Sequence, residues 1–219
     1  MKMKDVIIVG GGASVKEGIQ KNLWERIKHK EIWSVNYSYL AMPYLPKKEI
    51  FADRFFFNMN LNALEELHKH GVEIHSKKRA MLNTLPIIQH ECSRIAPTEE
   101  QMKQGIVFYG TMGLSGTFAL GLAIAQKYDN IYLLGYDFGT KKIGDTFTHF
   151  YQKDLKVMSK GVGNTVVYTA DNRLVESNYD YAQCLYYGPK IYNVSMDSNI
   201  TVLTKIKYDD FFDRVKEKV

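Results

Sequence analysis

Val6-Ile7-Ile8-Val9 runs without a break into Gly10-Gly11-Gly12-Ala13-Ser14, and a helix-like segment follows. Four consecutive apolar β-formers read as a buried strand of the kind found in parallel sheets. The glycines then permit a sharp turn and the close approach of an anion. Ser14 is placed to cap a helix whose positive end faces that anion. A chain that opens this way is constrained to an α/β architecture, and the turn points to phosphate or nucleotide binding. A tight turn with no ligand is the bland alternative.

The rest of the chain alternates strand and helix signals. Strands are expected over residues 6–9, 31–36, 50–57, 72–75, 131–134, 165–168 and 191–194. Helices are expected over 16–29, 61–70, 115–128, 174–187 and 208–218, with a short aromatic helix or turn over 37–44. Gly71 ends the 61–70 helix as a C-cap. Residues 115–128 are apolar nearly all round, as a helix packed closely on a sheet must be. Two stretches break the rhythm. Residues 76–104 carry Pro86, Pro97 and scattered charge and read as a variable excursion with little regular structure, while 139–163 reads as a long flexible loop. The pattern predicts one α/β domain over 1–219: a Rossmann-like, doubly wound, mainly parallel sheet with helices on both faces.

Composition narrows the class. The 219 residues are 45% hydrophobic, which suits a folded protein, and no apolar run approaches the ~20 residues that span a bilayer. Lysines open the chain, but Asp5 and the glycine cluster interrupt a signal-peptide core, so a cytoplasmic protein is expected. Cys92 and Cys184 have no metal-ligand spacing and read as buried thiols. A net charge of +5 is spread along the chain, and no basic stripe or motif calls for nucleic acid. Five of the six histidines, His29, His68, His70, His75 and His90, read as surface residues.

In a doubly wound sheet ligands bind beyond the carboxyl ends of the strands, near the switch in strand order. Gly10 to Ser14, Asn36, Asp53 and Asp137 all fall at such ends and form one expected site. The glycine turn lacks the third glycine of the dinucleotide fingerprint, since Val15 stands there, and lacks the P-loop lysine-hydroxyl pair. A nicotinamide dehydrogenase and a P-loop NTPase are therefore disfavoured. Asn36 can hydrogen-bond a base or ribose, or simply form a turn. Gly110-Thr111-Met112-Gly113-Leu114-Ser115-Gly116 enters the apolar helix with Ser115 as N-cap and accessible amides for a second anion contact, or serves as plain capping. Gly135-Tyr136-Asp137-Phe138 ends a core strand on a carboxylate, with Asp145, Thr148 and His149 downstream. An Asp with a His can move a proton, and Asp137 with Asp145 is the option for Mg2+.

These runs resemble a known family. Residues 6–15, Ser34-Val35-Asn36-Tyr37-Ser38-Tyr39, Leu114-Ser115-Gly116 and the strand Ile131-Tyr132-Leu133-Leu134-Gly135-Tyr136-Asp137-Phe138 are similar to the bacterial sialyltransferases of glycosyltransferase family 42. The same layout occurs in the motility accessory factors and archaeal hydroxymethylpterin pyrophosphokinases, whose Thr-His loop Thr148-His149 resembles. The resemblance implies that Gly10, Gly12, Ser14, Asn36, Ser115 and Gly116 contact a nucleotide. Beside these, Asp53, Tyr136 and Tyr151 are candidates for substrate or phosphate, and His149 and Asp137 are candidates for the catalytic groups. The segment matching the family's catalytic histidine, Tyr168-Thr169-Ala170-Asp171-Asn172, contains none.

Three functions follow as expectations. The first is a transferase that passes a sugar from a CMP-sugar-like donor to a hydroxyl-bearing acceptor. The second is a diphosphokinase that moves pyrophosphate from ATP to a small hydroxymethyl substrate with Mg2+. The third is a non-catalytic nucleotide-binding or scaffold protein. The sequence leaves sugar, acceptor and oligomer open, a homo-oligomer among them.

Overall fold

The computed structural model describes residues 3–78, 85–138, 142–143, 146–147 and 171–216. Its core is a sheet of eight strands, every neighbouring pair parallel. In chain order the strands are β1 (Asp5–Val9), β2 (Ile32–Val35), β3 (Lys48–Phe51), β4 (Glu73–Lys77), β5 (Ile88–His90), the short pair β6 (Cys92–Ser93) and β7 (Val107–Phe108), β8 (Asn130–Leu134), the two-strand ladder β9 (Lys142–Ile143) and β10 (Thr146–Phe147), β11 (Lys190–Asn193) and β12 (Thr204–Lys205). The main sheet runs β12-β11-β8-β1-β2-β3-β4-β5. Its order reverses at β1 and β8, which places the expected binding crevice between them.

Helices cover both faces, as the alternation predicts. On one side lie α5 (Ser115–Ala125) and α6 (Asp171–Cys184); on the other lie α1 (Val15–Gln20), α2 (Leu23–Ile27), α3 (Arg54–Lys69) and α7 (Tyr208–Val215). Thr117 to Ile124 are all buried, so the all-round apolarity of α5 is the signature of a helix with no wet face. It lies so close to β7 that a Cβ on Gly121 would collide with the Phe108 carbonyl oxygen. No helix among the described residues is long and apolar enough to cross a membrane. Both cysteines are free thiols, Cys184 buried and Cys92 partly so.

Several boundaries depart from expectation, each for a local reason. The first helix is broken in two, because Asn22 adopts a left-handed φ of 63°. The third strand stops at Phe51: Asp53 accepts the Phe55 N–H at 2.6 Å and starts α3, whose helical spacing buries Phe56, Phe57, Leu64 and Leu67. Aromatic residues that look like a strand are thus the first turn of a helix. The 76–104 excursion carries regular structure: β5 extends the main sheet, and α4 (Glu99–Lys103) begins on a Thr98–Gln101 capping box. Thr204–Lys205 adds an edge strand that its two residues gave no periodicity to announce.

His75 is the clearest correction, for it is 2% exposed. Its Nδ1 lies 2.9 Å from His90 Nε2, and its Nε2 lies 3.1 Å from Glu73 Oε2. Lys48 Nζ donates to the same carboxylate at 2.9 Å. Burial, reinforced by the Lys48 charge, pushes His75 down to about 4 from an ordinary 6.5. Partial burial alone would raise Glu73, but hydrogen bonds from Lys48 and His75 outweigh it and hold the carboxyl at about 2. Between pH 6.5 and 5 the unfolded chain therefore binds a proton at His75 that the folded chain refuses, and stability falls as pH falls. The expected loss is about 2 kcal/mol by pH 5, with Glu73 adding to it below its ordinary 4.5. Urea melts at the two pH values measure it, and a His75→Gln variant that kept the full acid loss would refute the assignment.

Candidate functional site

The turn after β1 and the turn after β8 meet at the reversal of strand order. Their contact is made of backbone. Gly10 N–H donates to Leu134 O at 2.7 Å, and Gly12 N–H donates to Gly135 O at 2.9 Å. A Cβ on Gly12 would stand 2.5 Å from Gly135 O and 2.7 Å from the Asp137 carboxyl carbon. Gly135 itself has a φ of +71°, and a Cβ there would stand 2.8 Å from Gly10 O. Glycine is required at positions 12 and 135 because the two segments touch main chain to main chain.

The anion at this turn is the protein's own. Asp137 Oδ2 accepts the Ser14 N–H at 2.7 Å, and Oδ1 hydrogen-bonds the Ser14 hydroxyl. Ser14 therefore does not cap α1 through its side chain. The expectation that Gly10, Gly12 and Ser14 offer N–H groups to a phosphate is corrected accordingly: Leu134 and Gly135 take two of those donors and Asp137 the third. Asp137, expected as a base or cation ligand, is engaged through both carboxylate oxygens.

The second glycine-rich turn repeats the device. Asp180, fully buried on α6, accepts the Thr111 N–H at 3.0 Å, the Thr111 hydroxyl at 2.9 Å and the Met112 N–H at 3.2 Å. Those amides are not open to a second anion. Ser115 is the first residue of α5 rather than its cap, and its Oγ accepts the Ala52 N–H at 3.0 Å, which ties the helix to the end of β3. Gly116 lies against Tyr136, whose hydroxyl donates to Gly116 O at 3.2 Å. Tyr136 is 3% exposed and burial raises its phenol, so it belongs to the core and not to a substrate surface. Asp53 is exposed and serves as the cap of α3.

Asn36 differs from all of these. It follows β2, holds a left-handed φ of 55°, and its Oδ1 is buried with no hydrogen-bond partner. Such an orphaned acceptor costs about 1–3 kcal/mol. The short helix it opens, Asn36–Ala41, is fastened to β1 through Ser38, whose Oγ accepts the Val35 N–H at 2.9 Å and donates to Val9 O at 2.7 Å. Beyond the end of β8 Phe138 is also left-handed, at a φ of 47°, where a bulky residue is strained. Asn199 holds that bend: its N–H donates to Asp137 O and its Nδ2 to Phe138 O, both at 2.8 Å.

Gly10, Gly12, Ser14, Asn36 and Asp137 thus follow the carboxyl ends of β1, β2 and β8, with Ser115 and Gly116 at the start of α5. Asp145, Thr148, His149 and Tyr151 lie outside the described residues. No group of three or more His, Cys, Asp or Glu side chains converges as a metal site among the described ones. Sequence reading missed Asp180, Ser38 and Asn199. Asp180 acts across 69 residues and has no local signal.

The arrangement defines an α/β protein with a Rossmann-type switch-point crevice. Two solved structures share its fold, both bacterial sialyltransferases. One is a tyrosine-to-phenylalanine variant of Cst-II in complex with CMP, 17% identical with a TM-score of 0.50, matching over 93% of this chain and 86% of that one. The other is the monofunctional α-2,3-sialyltransferase Cst-I from Campylobacter jejuni, 17% identical with a TM-score of 0.50, over 90% and 82%. No protein-family model and no curated protein sequence matches the chain.

Proposed function

We propose that this chain is a nucleotide-binding transferase, a glycosyltransferase that takes a sugar from a CMP-sugar donor to a hydroxyl acceptor. The observation that carries the reading is Asn36 Oδ1, a buried acceptor without a donor just past the carboxyl end of β2, the neighbour of β1. A base amino group or a ribose hydroxyl supplies the missing donor. A fold shared with a sialyltransferase solved with CMP supports the choice of nucleotide.

The carboxylate at the glycine turn refines which part of the nucleotide lies there. Asp137 would repel a phosphate but accepts hydrogen bonds from hydroxyl and amino groups. In this reading the nucleoside lies over Gly12, Asn36 and Asp137, and the phosphate points away from the turn. The acceptor hydroxyl attacks the sugar's anomeric carbon, the bond to CMP breaks, and His149 takes the hydroxyl proton.

Calorimetry with a panel of nucleoside monophosphates tests the reading, with CMP expected to bind most tightly. Asn36→Gly keeps the left-handed backbone and deletes the amide, so CMP affinity should fall about tenfold with little change in Tm. The reading fails if no nucleotide binds the wild-type chain at millimolar concentration.

A further inference from the structure

Past the end of β8, three consecutive main-chain carbonyl groups are held by one distant segment. Tyr136 O accepts Asn193 Nδ2 at 3.0 Å and Ser198 Oγ at 2.8 Å, and both donor residues are buried. Asp137 O accepts the Asn199 N–H and Phe138 O accepts Asn199 Nδ2, each at 2.8 Å. These donors sit at the end of β11 and in the loop after it. That loop is fastened in turn to α6. Asn178 Oδ1 accepts the Thr201 N–H at 2.8 Å, while its Nδ2 donates to Asn199 O at 3.3 Å and to Leu174 O of its own helix at 3.0 Å. Tyr181, three residues on, sets its ring edge-on to those of Tyr136 and Phe138, with centroids 6.2 and 5.8 Å away.

We infer that Asn199, backed by Asn178, is a positioning residue for the nucleotide site: it locks the bend at Phe138 and so aims the Asp137 carboxylate at Ser14. The inference rests on the nucleotide-site reading above. A residue's φ and ψ are rotations about its Cα between two planar peptide units. Asn199 holds the units on both sides of Phe138. Asn193 and Ser198 hold the unit before Asp137, so the Asp137 Cα also lies between two fixed peptides. Its side chain therefore leaves the backbone in a set direction, which brings Oδ2 within 2.7 Å of the Ser14 nitrogen. Ending the strand needs none of this. A glycine makes a left-handed turn without strain, as Gly135 does three residues earlier at a φ of +71°. A phenylalanine there is strained and persists because the hydrogen bonds around it over-determine the backbone. Through Asp180 and Asn178, α6 thus grips both turns beside the switch point, one directly and the other by way of Asn199.

The test is a double-mutant cycle in the full chain between Asn199→Ala and Phe138→Gly. Alanine deletes the side-chain bond to Phe138 O and keeps the main-chain bond to Asp137 O; glycine at 138 removes the strain that the bond offsets. The readouts are CMP affinity and the Ser14 backbone-amide resonance, which reports the Asp137 carboxylate directly. In Asn199→Ala the Ser14 amide should shift and CMP affinity should fall about tenfold. Adding the same change to Phe138→Gly should cost no more than about twofold, because glycine keeps a left-handed bend without help. Two outcomes overturn the proposal: an Asn199→Ala protein that loses Tm while the Ser14 amide stays in place, or an equal loss of CMP affinity in both backgrounds. If Phe138→Gly does not fold, Phe138→Asn takes its place, asparagine being the side chain that best accepts this conformation. If Asn199→Ala does not fold, Asn178→Ala loosens Asn199 from behind and should shift the Ser14 amide; an unmoved amide there also overturns the proposal. If wild type binds no CMP, the nucleotide reading falls, and the Ser14 amide alone still decides whether Asn199 aims Asp137.

Discussion

Gly12→Ala is expected to abolish nucleotide binding and to lower stability by about 1–3 kcal/mol. The new methyl group would stand 2.5 Å from Gly135 O and 2.7 Å from the Asp137 carboxyl carbon and Oδ2. No flexible side-chain tip is available to yield at the first of these, because the neighbour is main chain. The turn after β1 must move away from β8, which breaks the Gly12 N–H bond to Gly135 O and withdraws Ser14 from Asp137. A thermal melt should show a drop of several degrees, at about 2–4 °C per kcal/mol for a chain of this size. Equal CMP affinity in wild type and Gly12→Ala would mean that the ligand does not lie at the switch point.

Asp180→Asn is the second large effect, and here the loss is in folding. The carboxylate accepts three hydrogen bonds, from Thr111 N–H, Thr111 Oγ1 and Met112 N–H. Asparagine retains one acceptor oxygen and sets an N–H2 group against the remaining donors. Hydrogen bonds to a charged acceptor contribute about 1.5–3 kcal/mol each, and a buried donor left unmade adds its desolvation cost, so a loss of about 3 kcal/mol or more is expected. The turn has no room to rearrange, since Gly110 is left-handed at +77° and packed against the same carboxylate. Urea denaturation measures the change. Asp53→Asn should be near neutral, because Asp53 is an exposed helix cap and asparagine caps as well as aspartate does. A small effect at Asp180 would show that the second turn holds its shape without the carboxylate.

The parts of this fold legible in the sequence are those written in short runs. Val6 to Val9 with the glycines after them marked a buried parallel strand and its turn, and α5 announced itself by lacking a polar face. Placing Gly10, Gly12, Ser14, Asn36, Asp53 and Asp137 at strand ends also put them on one edge of the sheet, as found. What stayed hidden depends on partners far along the chain. Ser14 looks like a cap until Asp137, 123 residues away, takes both its donors. The Thr111 amides look open until Asp180 arrives from α6. Competing local signals misled in other places. Phe55, Phe56 and Phe57 have strand-like chemistry, yet the Asp53 cap and the burial of a helical face decide for α3. His75 reads as a surface residue because nothing nearby in sequence shows that Lys48, Glu73 and His90 enclose it.

The pairing of β1 with β8 also sets when the crevice can exist. Asp5 lies opposite Asn130, and the asparagine's Nδ2 donates to Asp5 Oδ1 at 2.7 Å across 125 residues of chain. Closing so long a loop is slow relative to local pairing, and a ribosome adding about 5–20 residues per second delivers the partner strand well after β1 has emerged. Until then the hydrophobic row Val6 to Val9 has an open edge, β2 being its one sheet neighbour. The glycine turn waits with it. The β1 turn is therefore completed late in folding, and until β8 arrives the nascent chain carries an apolar strand paired on one edge only.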